Sequence, residues 1–172
     1  MTLDKKKNKL KKNIKIIENY IKNPKKGLPE ELFLFLTRIS PMINVDLLIK
    51  NNFDETLLTW RKKGEKYPSG WHIPGGIIRF KEKIHSRVKE VANSELNCKI
   101  NFSKNPIMIN QIFLNQKNRS HFISLLFLCK LKSKLDKNIK YKSGIPKIGQ
   151  WKWFSRCPKN IIKPHKKYKK FI

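Results

Sequence analysis

Glu95 stands eleven residues after Ile84, on a helix-period stripe that also carries Val88 and Val91. At about 100° per residue, eleven steps come back to within about 20° of the start, so the spacing sets a carboxylate in line with side chains that a helix would bury. The same carboxylate falls in the last turn, where the backbone dipole disfavours an anion by about 0.3–1 kcal/mol. A cation beside Glu95 would offset both effects; the plainer reading is a Glu at the stripe's edge, reaching water or a lysine. Upstream, Gly75-Gly76 lets the chain turn tightly and approach a ligand closely. A carbonyl exposed there can ligate a hard cation such as Mg²⁺. Glu82, near the start of the same helix, suits the positive end of its dipole, with a simple N-terminal acid as the plainer reading.

These groups need elements to hold them. The spacing predicts a helix over Lys81–Leu96, entered from a turn at Pro74-Gly75-Gly76 within the run 71–80. Strand-like runs lie at Ile43–Lys50 and Thr56–Arg61, joined by the hairpin residues Asn51-Asn52-Phe53-Asp54. Gly64–Gly70 reads as a loop. Further strands fit Asn105–Phe113, His121–Lys132 and Gln150–Phe154, with a turn at Ser143-Gly144-Ile145-Pro146 and a final helix over Pro158–Phe171. Pro29 followed by Glu30 and Glu31 opens a short helix that ends near Arg38. Leu10, Ile14, Ile17 and Ile21 predict an amphipathic helix over residues 6–22. Strands interleaved with helices predict an α/β domain with a mixed sheet.

The 172 residues fit one domain, read here as 27–172, behind a basic extension 1–26 that is helical or partly disordered. The formal charge is +28, from 40 Lys+Arg against 12 Asp+Glu. A charge of that size invites a polyanion as partner. Yet 34 of those 40 are Lys, and the chain also holds 22 Ile, 16 Asn and a single alanine, Ala92. AT-rich codons produce that skew, which discounts the charge as a functional signal. A hydrophobic fraction of 39% excludes a wholly disordered chain. No apolar run reaches the roughly 18–20 residues that cross a bilayer. Cys98, Cys129 and Cys157 lack C-x-x-C spacing and read as free thiols in a cytoplasmic protein. With four scattered histidines they form no zinc pattern.

Gly76-x5-Glu82, followed by Glu95, resembles the Nudix hydrolase signature Gly-x5-Glu-x7-Arg-Glu-apolar-x-Glu-Glu-x-Gly-apolar. Ala92 fills the apolar position and Glu95 the second acid of the Glu-Glu pair. Glu90 stands where Arg is expected, Val91 and Ser94 replace acids, and Asn97 replaces the closing Gly, although Asn tolerates the left-handed conformation. The GDP-mannose mannosyl hydrolase branch similarly keeps only the last acid of that helix. The likeness extends over roughly residues 29–156: the strand ending at Ile49, Leu57-Leu58-Thr59-Trp60-Arg61, Gly70-Trp71, the strand from His121, and Trp151-Lys152-Trp153-Phe154.

The resemblance implies a Nudix-type α/β/α sandwich and a Mg²⁺-dependent hydrolase (Mn²⁺ as substitute) of nucleoside-diphosphate sugars. It implies metal ligands at the Gly75 carbonyl and Glu95, a structural or outer-shell role for Glu82, and diphosphate binding by Arg61. Arg79 lies two residues beyond the place of a second such Arg. The branch takes a Gln ligand and a His base from the loop that here reads 143–150. Lys147 and Ile148 occupy those places, so Gln150 becomes a ligand only if the loop shifts. The base is then sought among His72, His121 and, third, His165; His85 reads as a surface residue. Trp60, Trp71, Trp151 and Trp153 read as core or cleft wall, where one could stack on a base. The expected partners are a nucleotide-sugar and a second copy of the chain, with nucleic acid not favoured. Three functions compete: water attack at the anomeric carbon releasing a nucleoside diphosphate, cleavage between the phosphates, and a catalytically lapsed nucleotide- or RNA-binding module.

Overall fold

The computed structural model describes residues 3–61 and 69–172. Most of the loop expected at 64–70 therefore lies outside the described residues. Eight strands form one sheet: β1 (Met42–Lys50), β2 (Thr56–Arg61), β3 (Gly70–His72), β4 (Gly75–Ile77), β5 (Ile100–Phe102), β6 (Met108–Phe113), β7 (His121–Leu131) and β8 (Trp151–Phe154). The path runs β3-β2-β1-β7-β5, with β4 on β1, β6 on β7 and β8 on β2. β1 and β7 are parallel from Met42 opposite Phe122 to Lys50 opposite Lys130, whereas the other pairs are antiparallel. The sheet is mixed, as expected. The run 71–80, expected to contain a turn at Pro74-Gly75-Gly76, also supplies most of β3 and all of β4, because its short segments find edges on β2 and β1. β5 has no counterpart in the sequence reading; three residues are too few to show a period.

Alternation along β1 feeds two cores. Val45, Leu47 and Ile49 pack with Leu125, Phe127 and Cys129 beneath the helix α3 (Ile84–Leu96), which contributes Val88, Val91, Ala92 and Leu96. Leu48, Leu58, Trp71, Ile73 and Leu126 form the second cluster with Tyr168. Tyr168 arrives on a 3-10 helix, Lys163–Phe171. That segment was expected to be an α-helix from Pro158. The helix begins only at Lys163: the chain first turns at 159–160, with the Ile161 N–H on the Pro158 carbonyl at 3.2 Å, and then Ile161 pairs with Trp71 and the Ile162 N–H donates to the Trp71 carbonyl at 2.9 Å.

α3 also starts later than expected, at Ile84 rather than Lys81. Glu82 lies before it and not in its first turn. Ile84, assigned to the buried stripe, is 41% exposed; the buried face is carried by residues 88, 91, 92 and 96. At the other end Asn97 takes the left-handed conformation, φ 48° and ψ 42°, and the Cys98 N–H reaches back to the Ala92 carbonyl at 3.3 Å. This closes the helix as a glycine would.

α2 (Glu30–Ile39) begins behind Pro29 with both acids in its first turn. The Thr37 hydroxyl accepts the Arg119 N–H at 3.1 Å, fastening α2 to the β6–β7 connection. α1 (Leu3–Asn19) runs three residues ahead of the expected range and buries nothing; Leu10, Ile14 and Ile17 stay exposed. Among the described residues, no helix is long and apolar enough to cross a membrane.

Candidate active site

β1 bonds β4 through Asn44, Val45 and Asp46, then turns the same edge to β2 at Lys50. A cavity of about 790 Å³ opens beside that parting. Its wall includes Asp46, Arg61, His72, Gly75, Arg79 and His165, with α2 contributing Phe33 and Leu36. The volume suits a ligand of nucleotide size.

Glycine is required at 75 and 76 by contact. A Cβ on Gly75 would overlap Asp46 Oδ1 and lie 2.9 Å from the Val45 carbonyl; one on Gly76 would lie 2.8 Å from Val91 Cγ2. Two carboxylates thus bracket Gly75. Asp46 is one, and Glu95 is the other, accepting the Gly75 N–H on Oε1 at 3.1 Å. Glu95 is half-buried and stands behind the cavity wall. Burial raises its pKa to about 7, although the Gly75 N–H and the Arg61 charge favour its anion.

Thr59 links Glu95 to His72. Its Oγ1 lies 3.4 Å from Glu95 Oε2 and 3.1 Å from His72 Nε2. His72 Nδ1 faces the Ile73 carbonyl at 3.0 Å. A carbonyl only accepts, so Nδ1 carries the proton and Nε2 accepts the one proton of Thr59. Both nitrogens of His72 are engaged, and this geometry leaves it no lone pair for an attacking water. Burial, with help from the nearby His165 and Arg61, lowers its pKa to about 3.

Asp46 is 2% exposed. It accepts from Asn44 Nδ2 at 2.9 Å, from Tyr168 OH at 2.7 Å and from Ser124 Oγ. Burial still lifts its pKa to about 6. Glu82 closes the approach to α3: its Oε2 accepts from the Arg79 N–H and from Arg87 Nε, each at 2.8 Å. Arg87 is itself 6% exposed, so this pair is held by the fold and faces little water.

The structure brings Arg61, Arg79, His72 and Gly75 to one cavity, with Glu95 behind it. It does not bring Gln150 or His121 there. Gln150 Oε1 accepts the Lys147 N–H at 2.8 Å within its own loop, and His121 Nε2 pairs with Gln111 at 3.0 Å, while its neighbour Phe122 lines the cavity in its place. The sequence reading passed over Asp46, Thr59, Arg87 and Tyr168. Asp46 had a signal: it is the one acid in the apolar run Val45–Ile49. Thr59 and Tyr168 had none, since their partners are distant in sequence, whereas Arg87 pairs with Glu82 only five residues before it.

No family model matches the sequence, and no curated protein matches it. Solved structures do. They include a MutT NUDIX hydrolase from Burkholderia pseudomallei, 16% identical over 77% of this chain and 98% of that one, with a TM-score of 0.54. A possible asymmetric diadenosine tetraphosphate hydrolase from Jonesia denitrificans is 13% identical over 67% and 77%, at 0.52. A NUDIX hydrolase from Nitrosomonas europaea is 18% identical over 67% and 73%, at 0.51. At these identities the likeness is one of architecture: the chain has the Nudix fold.

That fold implies a divalent metal. Among the described residues no three His, Cys, Asp or Glu side chains gather into a cage. The donor set fits a looser arrangement. Glu95 carries a burial penalty that Arg61 does not cancel, and a divalent cation would offset it. Mg²⁺ commonly takes one or two protein carboxylates and completes its shell with water and substrate phosphates.

Proposed function

We propose that this protein hydrolyses nucleoside-diphosphate-linked substrates, nucleotide-sugars of the GDP-mannose type foremost. The observation that carries the reading is the bracketing of Gly75 by Glu95 and Asp46 at the wall of a nucleotide-sized cavity that Arg61 also lines. Mg²⁺, or Mn²⁺ in its place, would be held by Glu95 with a backbone oxygen at the paired glycines. When bound it would neutralise charge on the diphosphate as the bond breaks. Arg61 grips the diphosphate, and its positive charge stabilises the leaving anion. Arg79, exposed at the mouth, adds a second cation. Asp46, with Asn44, lines the floor where the rest of the substrate lies.

Retention of the last helix acid alone, as in the GDP-mannose branch, favours attack at the anomeric carbon. A screen of GDP-, UDP- and ADP-sugars with Mg²⁺, identifying both products, tests this. GDP plus free sugar is expected. GMP plus sugar phosphate would move the reaction to the bond between the phosphates. Val91 and Ser94 at acidic positions of the signature support the alternative of a lapsed enzyme that only binds; GDP binding without turnover of any sugar would establish it.

A further inference from the structure

Resting on the nucleoside-diphosphate reading, we infer that His165 is a substrate-binding residue, a neutral donor that presents Nε2–H to a phosphate oxygen beside Arg61. His165 belongs to the C-terminal 3-10 helix, a segment beyond the span of the family signature, and it is 8% exposed on the wall of the cavity. Its Nδ1 accepts the Ile73 N–H at 2.9 Å. A backbone N–H only donates, so the neutral ring carries its proton on Nε2. Protonating Nδ1 would break that bond and set a second cation beside Arg61. Burial and the Arg61 charge accordingly lower the pKa to about 3. A base for the attacking water needs a free lone pair, and this ring has none.

The buried His72 nearby spends both of its nitrogens on the protein. His165 Nε2 has no partner among the described residues, and it is not sealed from solvent as the buried unpaired atoms elsewhere in the chain are. The free proton is therefore open to a ligand that accepts. Arg61 lines the same cavity as His165, and its positive charge there suits an anionic acceptor. A phosphate oxygen meets both conditions. A neutral donor also adds a hydrogen bond without adding repulsion toward the guanidinium.

The ring is held from several sides. The His165 N–H donates to the Ile162 carbonyl at 3.0 Å, and the Trp71 N–H donates to the Asn160 carbonyl at 3.1 Å. A Cβ on Gly70 would lie 2.6 Å from that Asn160 oxygen, so glycine there permits the docking. Three residues on, Tyr168 anchors the segment through Asp46 and Ser124. The donor is thus preorganised.

The test uses the full chain labelled with ¹⁵N-histidine. Long-range ¹H–¹⁵N spectra from pH 5 to 8 should show His165 unprotonated at Nδ1 and protonated at Nε2 throughout. Adding GDP with Mg²⁺ should shift Nε2. His165→Asn keeps an acceptor for Ile73 but loses the deeper donor; it should melt within about 2 °C of the parent and bind GDP roughly tenfold more weakly. An Nε2 resonance that ignores bound GDP overturns the inference, as does parental affinity in His165→Asn. If that variant fails to fold, the spectra of the parent decide. Loss of binding in Arg61→Ala with none in His165→Asn sinks this inference alone, whereas a parent that binds no nucleoside diphosphate sinks the underlying reading as well.

Discussion

Glu95 and its neighbours show what a buried titratable group does to a site. Glu95 has a pKa of about 7, so its neutral form is well populated at neutral pH, because burial outweighs its donors. Glu95→Gln is nearly isosteric with that form. We expect it to fold and melt like the parent yet to lose Mg²⁺-dependent turnover by at least 100-fold; parental rates would remove Glu95 from the metal site. The same groups set the response to acid. Glu95 and Asp46 have folded pKa values of about 7 and about 6, above the ordinary 4.5 and 3.8, so they stabilise at low pH and lose that contribution as pH rises through those values. His72 and His165 are lowered from 6.5 to about 3, so they destabilise as pH falls below 6.5. Two protons gained on folding oppose two lost. Stability in urea should therefore stay level from pH 7 to about 5, and fall further into acid. His165→Asn tips the balance: its stability should rise by about 1 kcal/mol per pH unit between 6.5 and 5. A level profile for both proteins would refute these assignments.

At the scale of elements, the decisive contact is β4 against β1. Gly75 lies where a side chain would meet Asp46 and the Val45 carbonyl, and no rotamer of Ala relieves a Cβ clash. Gly75→Ala should cost about 1–3 kcal/mol, as overpacking does, and should weaken nucleotide binding by moving Glu95 and Asp46 apart. Unchanged melting and affinity would show that the edge yields freely. The 3-10 helix is the second decisive element. It fills the second face with Tyr168, which is wholly buried, and its OH reaches Asp46 across the sheet. One short helix thus completes both a hydrophobic cluster and the floor of the cavity.

Over the whole molecule the charge is uneven in meaning. α1 carries many of the lysines and buries none of its residues. Its exposed Leu10, Ile14 and Ile17 make no core for the sheet. Removal of residues 1–25 should leave a folded domain with a melting temperature within about 3 °C of the parent, read by circular dichroism. Aggregation or loss of the transition would place the arm in the core. If the arm contacts a polyanion, its removal should also flatten the salt dependence of RNA binding, since each neutralised phosphate releases counterions.

The sequence by itself determined what local physics can reach. Strand alternation marked β1, β2 and β7. Pro29 and its acids marked the start of α2, and Asn97 marked a left-handed stop for α3. Helical spacing turned Glu95 inward, and the paired glycines announced a close approach. Tertiary structure decided the rest, because the deciding partners are remote. Asp46 meets Tyr168 from 122 residues away, Ile73 meets His165 from 92, and Thr59 joins Glu95 to His72 across three elements. A hydrogen bond leaves no periodic trace in a chain, and only when the sheet closed did His72 prove committed and His165 show the open nitrogen.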